Sequence, residues 1–185
     1  MFFKKKHPEE KSEMSVWSLR KYNKTRAASN RELFCYAPFK NMYFNINGDA
    51  APCWQSFITP DSYPEKSITE IWNGNNFEEI RNGIKALDLS KKCAVCSDNF
   101  LKGNYLNILA RAYDNDYPIN DYPSVLELEL GNNCNLECIM CKGELSSSIA
   151  VNREKRINAK SPYDLKFIEQ IEEFLPYVRE VRING

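Results

Sequence analysis

Ser124-Val125-Leu126-Glu127-Leu128-Glu129-Leu130, then Gly131-Asn132-Asn133, then Cys134-Asn135-Leu136-Glu137-Cys138-Ile139-Met140-Cys141 is the stretch whose reading decides the fold. Its first part alternates strictly, with Leu126, Leu128 and Leu130 on one face and Glu127 and Glu129 on the other, which is the period of a β-strand. Gly131-Asn132-Asn133 ends the strand, so the three cysteines fall on the loop leaving its C-terminal end. Open α/β sheets and (β/α) barrels place their chemistry there. The cysteine spacing is C-x3-C-x2-C. With seven Cys in 185 residues, such a triplet arises by accident roughly 1% of the time, so three thiolates serving one metal centre is the better reading. Structural zinc wants four ligands, usually in C-x2-C pairs, and no fourth Cys or His follows in this stretch. A four-iron cubane held by three Cys leaves one iron open to an outside ligand, which suits catalysis better than structure or plain electron transfer.

Downstream, a helical stretch is expected over roughly 144–156. Ser161-Pro162-Tyr163-Asp164 reads as an N-cap, a proline at the first helical position and a carboxylate in the first turn. Leu165, Ile168, Ile171 and Leu175 recur at helical spacing and are expected to face the sheet, before Pro176 ends the run. Glu180-Val181-Arg182-Ile183-Asn184 is expected as a second strand. In it Val181 and Ile183 face the helices, while Glu180, Arg182 and Asn184 join Glu127 and Glu129 on a polar face. Each of these five is as readily a solvated strand position as a functional one. A closed barrel fills its lumen with branched apolar side chains, whereas a wider or partial barrel lines a cavity with polar groups. Two parallel strands cannot form an independent sheet, so the sequence reads as a chain that stops inside a larger α/β fold.

The motif of Cys134, Cys138 and Cys141, with an apolar residue before its last Cys, resembles the signature of the radical S-adenosylmethionine (radical SAM) enzymes. The resemblance implies that these three cysteines ligate a 4Fe-4S cluster and that Met140 lies near the adenine of S-adenosylmethionine. Gly185 stands where the first Gly of a G-G-E-P-like cofactor-binding loop would begin. The implied fold is the start of a partial (β/α) barrel. The implied reaction is reductive cleavage of S-adenosylmethionine to a 5'-deoxyadenosyl radical, which abstracts hydrogen from a peptide, a protein side chain or a sugar-like small molecule. An electron donor such as flavodoxin or ferredoxin is implied as a partner. Residues 1–185 alone, lacking the later barrel strands, are expected to turn over little. The rivals are methyl or sulfur transfer by the same chemistry, and a noncatalytic zinc- or iron-binding interaction module.

Residues 33–100 form a second pattern: Cys35, Gly48, Cys53, then Cys93-Ala94-Val95-Cys96. Met42, Phe44 and Ile46 alternate with Tyr43 and Asn45, and Asn47-Gly48-Asp49 is a hairpin turn that folds Cys53 back toward Cys35. Ser67-Ile68-Thr69-Glu70 is a capping-box pattern. Phe77, Ile80, Ile84 and Leu87 mark an amphipathic helix that carries the chain to Cys93 and Cys96. Four thiolates with one C-x2-C pair fit a structural zinc or a cubane cluster, and spacing does not choose. The pattern C-x12-G-x4-C, a helix and C-x2-C resembles the SPASM and twitch modules that carry auxiliary 4Fe-4S clusters in radical SAM enzymes. No further Cys follows Cys96 until Cys134, which resembles the one-cluster twitch type. Such a module usually follows the barrel, and here it precedes it.

The whole chain has 25 basic and 25 acidic residues, a balance that excludes a general nucleic-acid binder. No apolar run approaches the roughly 18 residues that span a bilayer, and the charged start is no secretory signal. Seven cysteines in such a chain point to reduced thiols in the cytoplasm rather than to disulfides. His7 is the only His, which leaves Ser-His-Asp, Cys-His and two-histidine metal mechanisms almost no material. Residues 1–32 read as a basic, partly disordered arm, with docking of an acidic partner or leader peptide as the sharper reading. Residues 101–123 read as a linking helix around Asn104 to Tyr113, with Leu106, Leu109 and Tyr113 apolar, and a polar connector at the domain boundary. The expected organisation is an arm at 1–32, an α+β module at 33–100, a linker at 101–123 and a first βαβ portion at 124–185.

Overall fold

A hairpin and a long-range parallel pairing organise the chain. The structure, a computed structural model, describes residues 14–29, 31–56, 61–90, 92–157 and 160–183. In chain order the elements are α1 (Val16–Asn23), α2 (Ala37–Lys40), β1 (Asn41–Phe44), β2 (Asp49–Ala51), β3 (Asp61–Ser62), α3 (Ile68–Trp72), α4 (Asn75–Lys85) and α5 (Ala94–Leu101). They continue with 3-10 turns at Tyr105–Asn107 and Leu109–Tyr113, β4 (Val125–Leu128), a π turn at Ile149–Arg153, α6 (Leu165–Glu172) and β5 (Glu180–Ile183). The result is a mixed α/β architecture with one five-stranded sheet in the order β3-β2-β1-β4-β5.

The hairpin forms as the Asn-Gly-Asp turn dictates. The Asn45 side chain accepts the backbone N–H groups of Asn47 and Asp49 at 2.9 and 3.0 Å. Gly48 takes φ +92°, and a Cβ on it would stand 2.1 Å from the Tyr63 carbonyl oxygen. Only glycine meets both demands. β2 then pairs antiparallel with β1, placing Tyr43 opposite Ala51. In α3 the capping box is complete: Ser67 Oγ accepts from Glu70 N and the Glu70 carboxylate accepts from Ser67 N.

β1 pairs parallel with β4, Asn41 opposite Val125 and Tyr43 opposite Glu127, and β4 pairs parallel with β5, Glu127 opposite Arg182. The two strands expected at 124–185 are thus not alone. The 33–100 segment supplies the other three strands, and the sheet runs straight across the expected boundary. The alternation places Leu126 in an apolar core with Met42, Phe44, Ile68, Phe167 and Phe174, and sets Glu127 on the opposite face. β1 is buried at all four positions because it is the middle strand, covered on both faces.

Four local expectations are corrected. The residues from Met14 onward are not a solvated arm: Tyr22 of α1 is fully buried in a second core with Phe34, Ile84, Phe100 and Ile108, and residues 1–13, with His7, lie outside the described residues. Arg26 pairs with Asp114, both side chains buried, at 2.5 Å, while Lys40 Nζ donates to Asn115 O at 2.6 Å and Trp72 Nε1 to Asp121 O at 2.6 Å. These contacts pin the connector to the body. In place of one linking helix stand the two 3-10 turns, which bury Ile108, Ala110 and Tyr113 and leave Leu106 exposed. Over 144–156 the helical structure narrows to the π turn. Finally, the cap of α6 is Asp164, whose side chain accepts from Phe167 N, not Ser161. The buried positions are Phe167 and Ile171 in the helix and Phe174 just after it, while Leu165 is 80% exposed.

Candidate metal centres

Each thiol of the first set sits at an element boundary. Cys35 precedes α2, Cys53 follows β2, Cys93 is the N-cap residue of α5 and Cys96 lies in its first turn. The hairpin returns Cys53 toward Cys35, and α4 carries the chain round so that α5 presents the C-x2-C pair. All four line one pocket, closed by Phe34, Ile84, Ala110 and Tyr113. Burial pushes the Cys53 thiol up to about 12 and the Cys93 thiol up to about 11, and raises Cys35 and Cys96 as well. Mutual repulsion adds to this, since Cys35 feels Cys53, Cys93 and Cys96. Backbone N–H groups oppose it: Ala37 N lies 3.4 Å from Cys35 Sγ, Gln55 N faces Cys53, and the Ala110 and Leu109 amides face Cys96. Four half-buried thiols that repel one another as thiolates, with amides aimed at three of them, form a donor set that a cationic metal group would fit.

Behind this pocket lies the polar sheet face. Glu127, largely buried, accepts from Tyr113 Oη at 2.9 Å and from Asn41 Nδ2 at 3.2 Å on the same oxygen. Asn41 Nδ2 also donates to Pro52 O at 2.9 Å, next to Cys53. Arg182 lies 5.3 Å from the Tyr113 ring centroid and donates to Glu180 Oε1 at 2.8 Å and Ala112 O at 3.0 Å. The phenol of Tyr43 donates to Glu129. Glu127, Glu129, Glu180 and Arg182 were legible as a polar face. Asn41 and the hydroxyl of Tyr113 were not, since neither carries a spacing signal, and Asn184 lies outside the described residues.

The second set sits on the loop after β4. Buried Asn132 fixes its base, donating from Nδ2 to Gly143 O at 3.2 Å and accepting at its carbonyl from Cys134 N at 2.7 Å and Ser147 N at 2.8 Å. Ser146 Oγ, fully buried, donates to Leu136 O at 2.7 Å. The base is rigid and the tip projects: Cys138 and Ile139 are exposed, and Met140 is 87% exposed. Cys134 lines a shallow pocket with Leu130, Asn132 and Ile183 at the C-terminal ends of β4 and β5. The structure gathers Cys35, Cys53, Cys93 and Cys96 into one pocket and sets Cys134, Cys138 and Cys141 on one loop without drawing them together. Gly185 lies outside the described residues. All seven cysteines are free, and among the described residues no three Cys, His, Asp or Glu side chains converge closely enough to hold a single metal ion. Among those residues, too, no helix is long and apolar enough to cross a membrane.

The family model of the SPASM domain, described as an iron-sulfur cluster-binding domain, matches residues 35–97. This domain occurs in radical SAM enzymes. No curated protein and no solved structure matches the chain. The matched segment begins at Cys35 and ends one residue past Cys96, so it takes in all four thiols of the pocket, and residues 35–97 carry a SPASM iron-sulfur cluster-binding domain.

Proposed function

We propose that this chain belongs to a radical SAM enzyme, with Cys134, Cys138 and Cys141 holding the 4Fe-4S cluster that meets S-adenosylmethionine and Cys35, Cys53, Cys93 and Cys96 holding one auxiliary cluster of the twitch type. The observation that carries the reading is the parallel β1–β4 pairing, which sets the SPASM segment in the same sheet as the strand that delivers the C-x3-C-x2-C loop. The sheet is then the first part of a partial barrel whose lumen face carries Glu127, Glu129, Glu180 and Arg182. Cys134, Cys138 and Cys141 would hold the cluster at this loop, and that group, when bound and reduced, would supply the electron for radical chemistry with S-adenosylmethionine and hydrogen abstraction from substrate.

The chain's own residues do the positioning. Asn132 and Ser146 hold the loop base while the exposed Ile139-Met140 tip offers an apolar surface to an adenine ring. The four thiols of the pocket would hold an auxiliary cluster with no iron left open, which would suit electron transfer or support rather than substrate ligation. The substrate class is a peptide, a protein side chain or a sugar-like small molecule. The electron donor is a flavodoxin or ferredoxin, in a reducing cytoplasm that keeps seven thiols free.

The test is electron paramagnetic resonance of the anaerobically reconstituted, dithionite-reduced protein with and without S-adenosylmethionine. The reading expects one signal that changes on addition of the cofactor and loses that response in Cys138→Ala. Stoichiometric zinc with no cofactor-sensitive signal would favour the noncatalytic binding module.

A further inference from the structure

Glu127 is an acidic residue largely buried in an inner strand of the sheet, an arrangement that is unfavourable unless its partners compensate. Two of its hydrogen-bond donors lead to the four-thiol pocket. Tyr113, which donates to it, forms part of the pocket wall, and Asn41, the second donor, also holds the carbonyl of Pro52, adjacent to Cys53. An opposing charge is Arg182, across the β4–β5 pairing from Glu127 and 5.3 Å from the Tyr113 ring centroid. Glu129, two residues further along β4, is instead engaged by Tyr43.

We infer that Glu127 and Arg182, acting across Tyr113, set the reduction potential of the cluster held by Cys35, Cys53, Cys93 and Cys96. This rests on the auxiliary-cluster reading above. Reduction adds one negative charge to the cluster. A carboxylate bonded to the pocket's Tyr113 opposes that charge and a guanidinium favours it, and the burial of Glu127 leaves its charge less screened than that of the half-buried Arg182. Charge and hydrogen bonding around a cluster are among the levers that move its potential. The sheet thereby couples the auxiliary site to β5, the strand whose C-terminal end, with that of β4, flanks the Cys134 loop. Glu127 and Arg182 are positioning residues, argued to act on the cluster through Tyr113.

The experiment is a redox titration of the auxiliary signal in a chain carrying Cys134→Ala, Cys138→Ala and Cys141→Ala, which removes the other site. Glu127→Gln keeps the shape and the acceptor oxygen and is expected to raise the midpoint, changing the reduced-to-oxidised ratio at fixed potential by about tenfold, about 59 mV for one electron. Arg182→Gln, on the exposed edge strand, is expected to lower it. Glu129→Gln, equal in formal charge change, is expected to leave it within twofold. Iron at wild-type content with an unmoved midpoint in both Glu127→Gln and Arg182→Gln would overturn this inference alone. So would Glu129→Gln shifting it as far as Glu127→Gln. No iron in the triple-alanine background would overturn the auxiliary-cluster reading and the inference with it. If Glu127→Gln fails to fold, the direction of the Arg182→Gln shift decides.

Discussion

Truncating Phe167 is the sharpest test of how α6 sits on the sheet. Its ring is fully buried and meets Phe44 at 5.2 Å and Tyr63 at 5.2 Å, both edge to face, and Tyr163 at 4.5 Å. Phe44 and Tyr63 come from the SPASM segment, so the contact joins the two ends of the chain. Phe167→Ala removes a buried aromatic side chain and leaves a cavity that neighbouring rings cannot fill, at a cost of about 4 kcal/mol. In a chain of this length each kcal/mol lowers the melting temperature by about 2–4 °C, so a fall of about 8–16 °C is expected by circular dichroism. Leu165→Ala is the contrast. Leu165 belongs to the stripe that sequence spacing favours, yet it is 80% exposed, and its truncation is expected to cost under about 0.5 kcal/mol. Equal losses from the two variants would show that the helix is rotated from the described register.

Gly48→Ala would force a side chain into positive φ and against the Tyr63 carbonyl. A loss of more than about 1–2 kcal/mol in urea unfolding is expected, with lower iron uptake because this turn returns Cys53 toward Cys35. Asp114→Asn leaves the buried Arg26 guanidinium without its counter-charge and should cost about 3–5 kcal/mol in the same assay. The Asp164 carboxyl lies below the usual carboxylate range because the Tyr63 phenol and the Phe167 N–H donate to it. Its contribution is therefore complete above the unfolded-state value and is lost as pH falls through the lower folded-state value. Melting temperature followed from pH 6 down to pH 2 should fall less steeply in Asp164→Asn than in the parent, and parallel curves would refute the assignment.

What the sequence disclosed was local. Alternation from Val125 to Leu130 marks β4 because period two is a property of neighbouring residues, and the Asn-Gly-Asp turn and the Ser67–Glu70 box carry their geometry in side chains a few residues apart. The C-x2-C pair was legible for the same reason. The start of α6 was misjudged because Ser161-Pro162 carries a start signal of its own, while Asp164, read as a first-turn carboxylate, is the residue that caps the helix. Tertiary contacts choose between them: Asp164 also receives the Tyr63 phenol. The pairing of β1 with β4 had no local signature. Hydrogen bonds between distant strands are decided by what covers each face, and β1 is buried on both. The basic composition of residues 14–31 likewise concealed a buried helix residue, Tyr22, and an arginine whose partner, Asp114, lies far along the chain. At the site, cysteine spacing singled out the four thiols that line one pocket, whereas the Tyr113–Glu127–Asn41 network depends on the same unforeseen sheet.

The proposed function requires two separate iron-sulfur sites, and counting iron and acid-labile sulfide per chain after anaerobic reconstitution tests it most directly. The parent should hold about eight irons and eight sulfides, and both Cys35→Ala/Cys53→Ala and Cys138→Ala/Cys141→Ala should hold about four of each. About four irons in the parent, or loss of all iron from either double variant, would contradict two independent clusters.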